Sequence, residues 1–199
     1  MHFAAKNILR SVNNTHKQMK NIITIMLLGA FTALQAQVII GDALGTVSPG
    51  NKGSVLLEFA STNDKGIIVP YVRTRPAASV ANQGTILLDA SNAATARMFY
   101  SNGTNWIDLS GQDANVNSAL TIQPTGVPES SAKSIIGANS SSADGVLVLE
   151  STTKAMVLPI VSDVNNILSP SPGMLVYVNK SAAKRLAVYN GSKWSFWKP

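Results

Sequence analysis

Residues 97–108 read Arg-Met-Phe-Tyr-Ser-Asn-Gly-Thr-Asn-Trp-Ile-Asp, two runs typical of β-strands separated by Asn-Gly. This pattern predicts a β-hairpin with a two-residue turn, because Asn and Gly both tolerate the positive φ that such a turn requires. The turn would place Phe99 opposite Trp106 and Arg97 opposite Asp108, giving an aromatic pair and an ion pair on one face. The hairpin is the clearest indication that the chain folds as β structure.

The hairpin sequence recurs near the end of the chain. Asn190-Gly191-Ser192-Lys193-Trp194 matches Asn102-Gly103-Thr104-Asn105-Trp106 at an offset of 88 residues, and a two-residue turn there would place Ala187 opposite Trp194. Three earlier segments recur in the same order at offsets of 92, 89 and 89 residues: 53–58 as 145–150, 65–70 as 154–159, and 84–88 as 173–177. Four matches in one order indicate a tandem duplication with small insertions and deletions.

The repeated segments predict strands, because they are short, rich in β-branched residues and bounded by Gly, Ser or Pro. No segment after residue 36 keeps a helical period over three turns. The sequence therefore predicts an all-β fold of two similar β-rich modules with hairpins, preceded by a cleavable signal peptide. We place module 1 at residues 37–110, a Ser-, Asn- and Gly-rich linker with the start of the second unit at 111–144, and module 2 at 145–199.

The predicted signal peptide covers residues 1–36. A cationic head is followed by an apolar run of 13 residues at 22–34 and by Leu-Gln-Ala-Gln, which favours cleavage after Ala36. The true start is either Met1, with an extended head, or Met19. The run is shorter than the roughly 20 apolar residues that a membrane span needs, which favours a signal peptide. The alternative is an uncleaved N-terminal anchor helix. We expect export to the periplasm, the cell surface or the extracellular space, with no membrane span in the mature chain.

The net charge of +6 lies mostly in this leader. After residue 36 there are 12 cations and 10 anions, and the only basic cluster is Lys184-Arg185, so no nucleic-acid partner is predicted. The chain has no Cys, and its two His residues, His2 and His16, lie in the leader. The chain after the leader therefore lacks the Cys and His side chains that thiol catalysis, His-based triads, structural zinc sites and haem ligation usually require. No cofactor or metal is predicted.

Two patterns suggest catalysis only weakly. Glu58 and Glu150 occupy equivalent repeat positions, and paired carboxylates serve glycoside hydrolysis when they lie roughly 5–10 Å apart. Their recurrence in both copies favours a structural role instead. Ser-x-x-Lys strings begin at Ser130 and Ser151 but lack the partner motifs of serine acylases, which favours polar turns. The sequence predicts that the protein is not an enzyme.

The hairpin aromatics are the candidate binding or interface residues. They can stack on sugars, or pack the hairpins onto the core or onto a neighbouring chain, and we favour packing. Trp197 has no Trp counterpart in the first copy, which makes it the best candidate for an exposed anchor. The five candidates are Tyr100, Trp106, Tyr189, Trp194 and Trp197.

The order of the repeat motifs resembles a group of uncharacterised secreted surface proteins of Bacteroidota, over most of residues 38–199. The motifs are Lys65-Gly66 with Pro70, Leu149-Glu150 with Ser151-Thr152, residues 173–177, and Tyr189-Asn190-Gly191 with Trp194. Ala155 replaces the motif's Gly in the second copy, and Tyr71 and Ile160 replace its Arg. The resemblance implies an extracellular module like those of adhesin heads and phage-tail-like fibres, often trimeric, with no active site to transfer.

We therefore predict a secreted or cell-surface structural or adhesive protein that acts by association. Its partners would be further copies of itself or other surface proteins. The alternative is a carbohydrate-binding module that uses the Trp hairpins to bind glycans.

Overall fold

The computed structural model describes residues 16–21, 37–41, 45–61, 64–123 and 133–197. The chain divides into two compact units, Met1–Ala36 and Gln37–Pro199. In the first unit, residues 16–21 are helical and exposed, while the apolar run and cleavage site of the predicted signal peptide lie outside the described residues. Within the described ranges, no helix is long and apolar enough to cross a membrane.

The second unit is built from strands, which confirms the predicted all-β class. The strands described are β1 (Val38–Ile40), β2 (Val55–Phe59), β3 (Ile67–Ile68), β4 (Tyr71–Val72), β5 (Ile86–Asp89), β6 (Arg97–Ser101), β7 (Trp106–Asp108), β8 (Ser134–Ile136), β9 (Leu147–Leu149), β10 (Ala155–Met156), β11 (Ile160–Val161), β12 (Met174–Val178), β13 (Arg185–Tyr189) and β14 (Trp194–Trp197). Short helices occur at Pro49–Ser54, Asn117–Ile122 and Val164–Asn166.

Two sheets repeat one topology, as the tandem duplication predicts. Their strand orders are β4-β5-β6-β7 and β11-β12-β13-β14, and in each the first pair is parallel and the next two are antiparallel. The pairing of Tyr71 with Leu88 in the first sheet corresponds, 89 residues later, to the pairing of Ile160 with Tyr177. The offset equals that of the sequence repeat, so the two halves share the register as well as the strand order.

Two strands join the halves of the chain. β10 pairs with β2 in a parallel sheet that also contains β1, and β3 pairs antiparallel with β12. Gly173, just before β12, accepts the Val69 N–H at 3.1 Å and has φ +76°. A Cβ there would lie 3.2 Å from Tyr71, so only Gly fits easily. Strands of both predicted modules share sheets, and the predicted boundaries at 37–110, 111–144 and 145–199 stay a prediction.

Two apolar clusters lie on opposite faces of β13, because successive side chains of a strand alternate between faces. Val188 belongs to the first cluster and Ala187 to the second. Each fully buried Leu or Val side chain contributes about 1.5–3 kcal/mol. The first cluster contains Val69, Leu88, Ala90, Ala96, Met98, Leu109, Ala114, Val116, Leu120, Leu175 and Val188. The second contains Val161, Val164, Ile167, Met174, Val176, Val178 and Ala187.

The first predicted hairpin forms, but its predicted register is wrong by two residues. Phe99 lies opposite Asp108, and Ser101 lies opposite Trp106. The reason is the side chain of Asn102, whose Oδ1 accepts the N–H groups of Thr104 and Asn105 at 2.9 and 2.7 Å. This closes a four-residue loop in place of a two-residue turn, and only its glycine, at φ +90°, has a positive φ.

The predicted register of the second hairpin is also wrong by two residues, for the same reason. Asn190 Oδ1 accepts the N–H groups of Ser192 and Lys193, each at 3.0 Å, so Tyr189 and not Ala187 lies opposite Trp194. A short hydrogen-bonding side chain at the first loop position can replace the tight turn that Asn-Gly usually indicates. The predicted ion pair between Arg97 and Asp108 nevertheless forms, at 2.8 Å, because the side chains reach each other diagonally.

Candidate functional site

The structure does not bring the five candidate aromatic residues together into one platform. Trp106 is half-buried, and its indole N–H donates to the Pro76 carbonyl at 2.9 Å, as expected for a packed residue. Tyr189 and Trp194 stack at a tilt, with ring centroids 5.2 Å apart. Tyr100 and Trp197 form a third group, described next.

Tyr100 and Trp197 connect the two halves at the outer strand of the second sheet. Their rings meet edge to face, with centroids 6.2 Å apart and an interplanar angle of 81°. On the same face of β14, Ser195 donates to the Ser110 carbonyl and accepts from Gln112 Nε2 at 3.1 Å. These contacts fix β14 against the first half of the chain, yet Trp197 remains 43% exposed.

The opposite face of β14 lines a cleft of about 350 Å³. Trp194 and Phe196 contribute aromatic surface, and the guanidinium of Arg185 lies 4.3 Å above the Phe196 ring. Arg185 Nε is buried and has no hydrogen-bond partner among the described residues. Apart from Trp194, these residues were missed by the sequence reasoning. The only feature of the sequence that pointed to this region was the basic pair Lys184-Arg185, which belongs to no ligand-binding motif.

An ion pair borders this cleft. Lys180 Nζ lies 2.7 Å from Asp163 Oδ2. The hydrogen bond from Lys180, and then that from the Asn165 backbone N–H, hold the pKa of Asp163 below its ordinary value. Asp163 therefore stays ionised in mildly acidic solution. The cleft combines aromatic surface, two cations and one anion, a lining suited to a polar ring-shaped ligand.

Open strand edges are the second notable feature. Among the described strands, β14 pairs only with β13, β9 only with β8, and β3 only with β12. The unpaired N–H and C=O groups of such edges are ready to pair with another chain. Large apolar side chains on or beside these edges are exposed by 41–73%: Ile68, Val146, Leu147, Phe196 and Trp197.

The two candidate carboxylates have separate structural partners. Glu58 is fully buried in β2, where it accepts hydrogen bonds from Gln37 Nε2, the Val47 N–H and Lys52 Nζ. Glu150 follows β9 in another sheet and accepts a hydrogen bond from Ser141. These partners agree with the structural role expected for the repeated Glu.

The Ser-x-x-Lys string at residues 151–154 is a polar turn. Ser151 Oγ accepts the Lys154 backbone N–H at 2.9 Å, so the hydroxyl is engaged by its own turn. The string that begins at Ser130 lies outside the described residues.

Residues 135–198 match a family model. Its description is "phage tail like trimerisation region". No curated protein and no solved structure matches the chain significantly. The match fits the tail-fibre-like description inferred from the repeat motifs, whereas the relation to Bacteroidota surface proteins stays a prediction. It favours a structural, association-based and non-catalytic role.

The matched segment contains β9 to β14 and most of β8. The open edges of β9 and β14 therefore belong to it, together with the cleft. The open edge of β3 lies in the first half of the chain. The exposed apolar side chains and the matched trimerisation region thus coincide over β9 and β14.

Proposed function

We propose that the protein is a homotrimeric structural element that associates through residues 135–198 and serves in an adhesive assembly at the cell surface or outside the cell. The observation that carries this proposal is the match of these residues to a trimerisation region, over strands whose edges are open. Further copies of the chain are the partners that this match favours.

The physical argument rests on the open edges of β9 and β14 within the matched region. Leu147 beside one edge and Phe196 and Trp197 on the other expose apolar surface to water, and burying it favours association by roughly 25 cal/mol per Å². Pairing of the edges also satisfies main-chain groups that would otherwise attract unrelated chains. Because the sequence contains no Cys, disulfides cannot stabilise the assembly, and packing between copies takes that role.

Export is part of the proposal. The boundary between the two compact units falls between Ala36 and Gln37, where the sequence predicts cleavage. N-terminal sequencing of the protein recovered outside the cytoplasm tests this. We expect Gln37 as the first residue, and a chain retained in the cytoplasm with its leader would contradict export.

The oligomeric state is tested by light scattering coupled to gel filtration. We expect a mass three times that of one chain, persisting on dilution to micromolar concentration. A single-chain mass over that range would contradict the proposal.

Glycan binding is a second candidate, and the cleft beside Trp194 favours it. Its volume of about 350 Å³ and its aromatic and charged lining suit a saccharide. A glycan array tests this with Trp194→Ala, and Trp106→Ala is the matched control because Trp106 lies outside the cleft. Binding lost only in Trp194→Ala would support the candidate, and no binding by the native protein would exclude it for the arrayed glycans.

A further inference from the structure

The internal repeat assigns a counterpart to two strands of the parallel sheet, β2 and β10. Residues 65–70, which contain β3, correspond to residues 154–159, which contain β10. Residues 53–58, which contain most of β2, correspond to residues 145–150, which contain β9. The pairing of β10 with β2 should therefore have a counterpart, namely a pairing of β3 with β9.

Only one of these two pairings occurs among the residues that the structure describes. β10 lies parallel to β2 with Met156 opposite Leu57, and the Val157 N–H donates to the Leu57 carbonyl at 2.8 Å. Among the described residues, β9 pairs only with β8, and the edge that corresponds to the β10 side of β2 is open. The repeat thus leaves one strand position empty in the second half.

The outer edge of β3 carries the hydrogen-bonding groups that this position needs. Val69 donates its N–H to Gly173, so in the antiparallel pairing with β12 the backbone groups of Val69 and Ile67 face β12. Those of Ile68 then face away from β12. Ile68 is the repeat counterpart of Val157, the residue whose N–H binds β2. The N–H that points away from β12 is therefore the one that the repeat predicts.

We infer that β3 of one copy pairs parallel with β9 of a second copy, placing Ile67 opposite Leu149. The inference rests on the proposed function and names one contact of that association, between β9 inside the matched region and β3 outside it. The contact would run along two strands on which Ile68 and Leu147 are each about half exposed in a single chain. Because β3 and β9 are different surfaces, the contact is heterologous, and three such contacts can close a ring.

Cysteine pairing tests the contact directly, because the natural chain contains no Cys. Ile67→Cys and Leu149→Cys are introduced in separate chains with tags of different mass, and the two variants are co-expressed and mildly oxidised. Residues directly opposite on adjacent strands fall within the Cα separation that a disulfide tolerates. We expect a disulfide-linked species with the summed mass of the two tagged chains, and none when either variant is expressed alone.

Leu57→Cys with Met156→Cys in one chain is the matched control. It is the repeat counterpart of the test pair, and its intrachain disulfide sets the oxidation conditions. A trimeric mass without the mixed disulfide would overturn the β3–β9 contact and leave the proposed function standing. A monomeric mass would overturn both. Cross-linking of Ile67→Cys with itself would show a symmetric contact and also overturn the inference.

Ile68→Pro gives an independent measurement. Proline removes the N–H that would bind Leu149 in the second copy, while the backbone groups of Ile67 and Val69 that face β12 remain. We expect at least about a tenfold rise in the concentration at which the trimer dissociates, with an unchanged circular dichroism spectrum. Unchanged dissociation in a folded variant would overturn the inference.

Discussion

Tyr100 and Trp197 meet edge to face, with ring centroids 6.2 Å apart, and they join the first hairpin to the last strand of the chain. Such a pair contributes about 0.5–1.5 kcal/mol beyond the area that it buries. Trp197 also keeps an exposed surface at an open strand edge, so the same residue contributes to folding and is available for association.

Trp197→Ala is expected to weaken the trimer more than it weakens the fold. The substitution removes exposed apolar surface at the β14 edge, and loss of an aromatic interface residue typically costs about 2 kcal/mol, or more than tenfold in affinity. Sedimentation velocity over a dilution series measures this. Leu168→Ala is the control, because Leu168 is exposed and lies outside the strands. Equal effects of the two substitutions would contradict the role given to Trp197.

Glu58→Ala is expected to destabilise the protein by about 3–5 kcal/mol. It removes a fully buried carboxylate and leaves Lys52, Gln37 and the Val47 N–H without their acceptor. Glu150→Ala, at the equivalent repeat position but only half-buried, is expected to cost about 1 kcal/mol. Urea unfolding of both variants tests the difference. Equal losses would show that burial of Glu58 is not the cause.

Asn190→Ala is expected to cost more stability than Asn102→Ala, although both residues close hairpin loops. Asn190 is fully buried, accepts two backbone N–H groups and donates to the Gln112 carbonyl at 2.8 Å, so we expect a loss of about 2–4 kcal/mol. Asn102 is exposed and, among the described residues, its side chain accepts the two loop N–H groups, so we expect about 1 kcal/mol. Thermal unfolding monitored by circular dichroism gives the ranking, and the reverse order would contradict this account.

The lowered pKa of Asp108 leads us to expect that the protein loses stability in acid. Burial alone would raise its pKa, but hydrogen bonds from the Gly111 N–H, Arg97 and Ser110 together hold the pKa below its ordinary value. The carboxylate therefore stabilises the fold above about pH 4, and this contribution disappears as the pH falls through the lowered pKa.

Asp108→Asn should be less stable than the natural protein by about 1 kcal/mol near pH 7, since the site is partly exposed. The difference should shrink below pH 4, where the natural carboxyl becomes protonated. Urea titrations at pH 7, 5 and 3 measure it. A difference that does not depend on pH would show that ionisation of Asp108 does not contribute to stability.

The repeat in the sequence predicted two similar sets of strands but did not specify their order within the sheets. Residues at equivalent repeat positions pair in the same register, as Tyr71 with Leu88 and Ile160 with Tyr177 show. The hairpin registers were not predictable from Asn-Gly alone. They depend on whether the Asn side chain accepts the loop N–H groups, and two different loops share that dipeptide.

The pairing partners of isolated strands were also beyond the sequence. β3 and β10 have equivalent sequences, yet one pairs with β12 and the other with β2. Two-residue strands carry too little alternation to specify a partner, so tertiary packing decides. For the same reason, the cleft beside Phe196 could not be predicted: Asp163, Lys180 and Arg185 become neighbours only after β12 to β14 have assembled.

The mass of the purified protein in solution tests the central claim most directly. Multi-angle light scattering across a hundredfold dilution should give three chains per particle, because the matched trimerisation region and the open edges both favour association. A mass of one chain at every concentration, from a protein with the circular dichroism of a folded β structure, would contradict the claim.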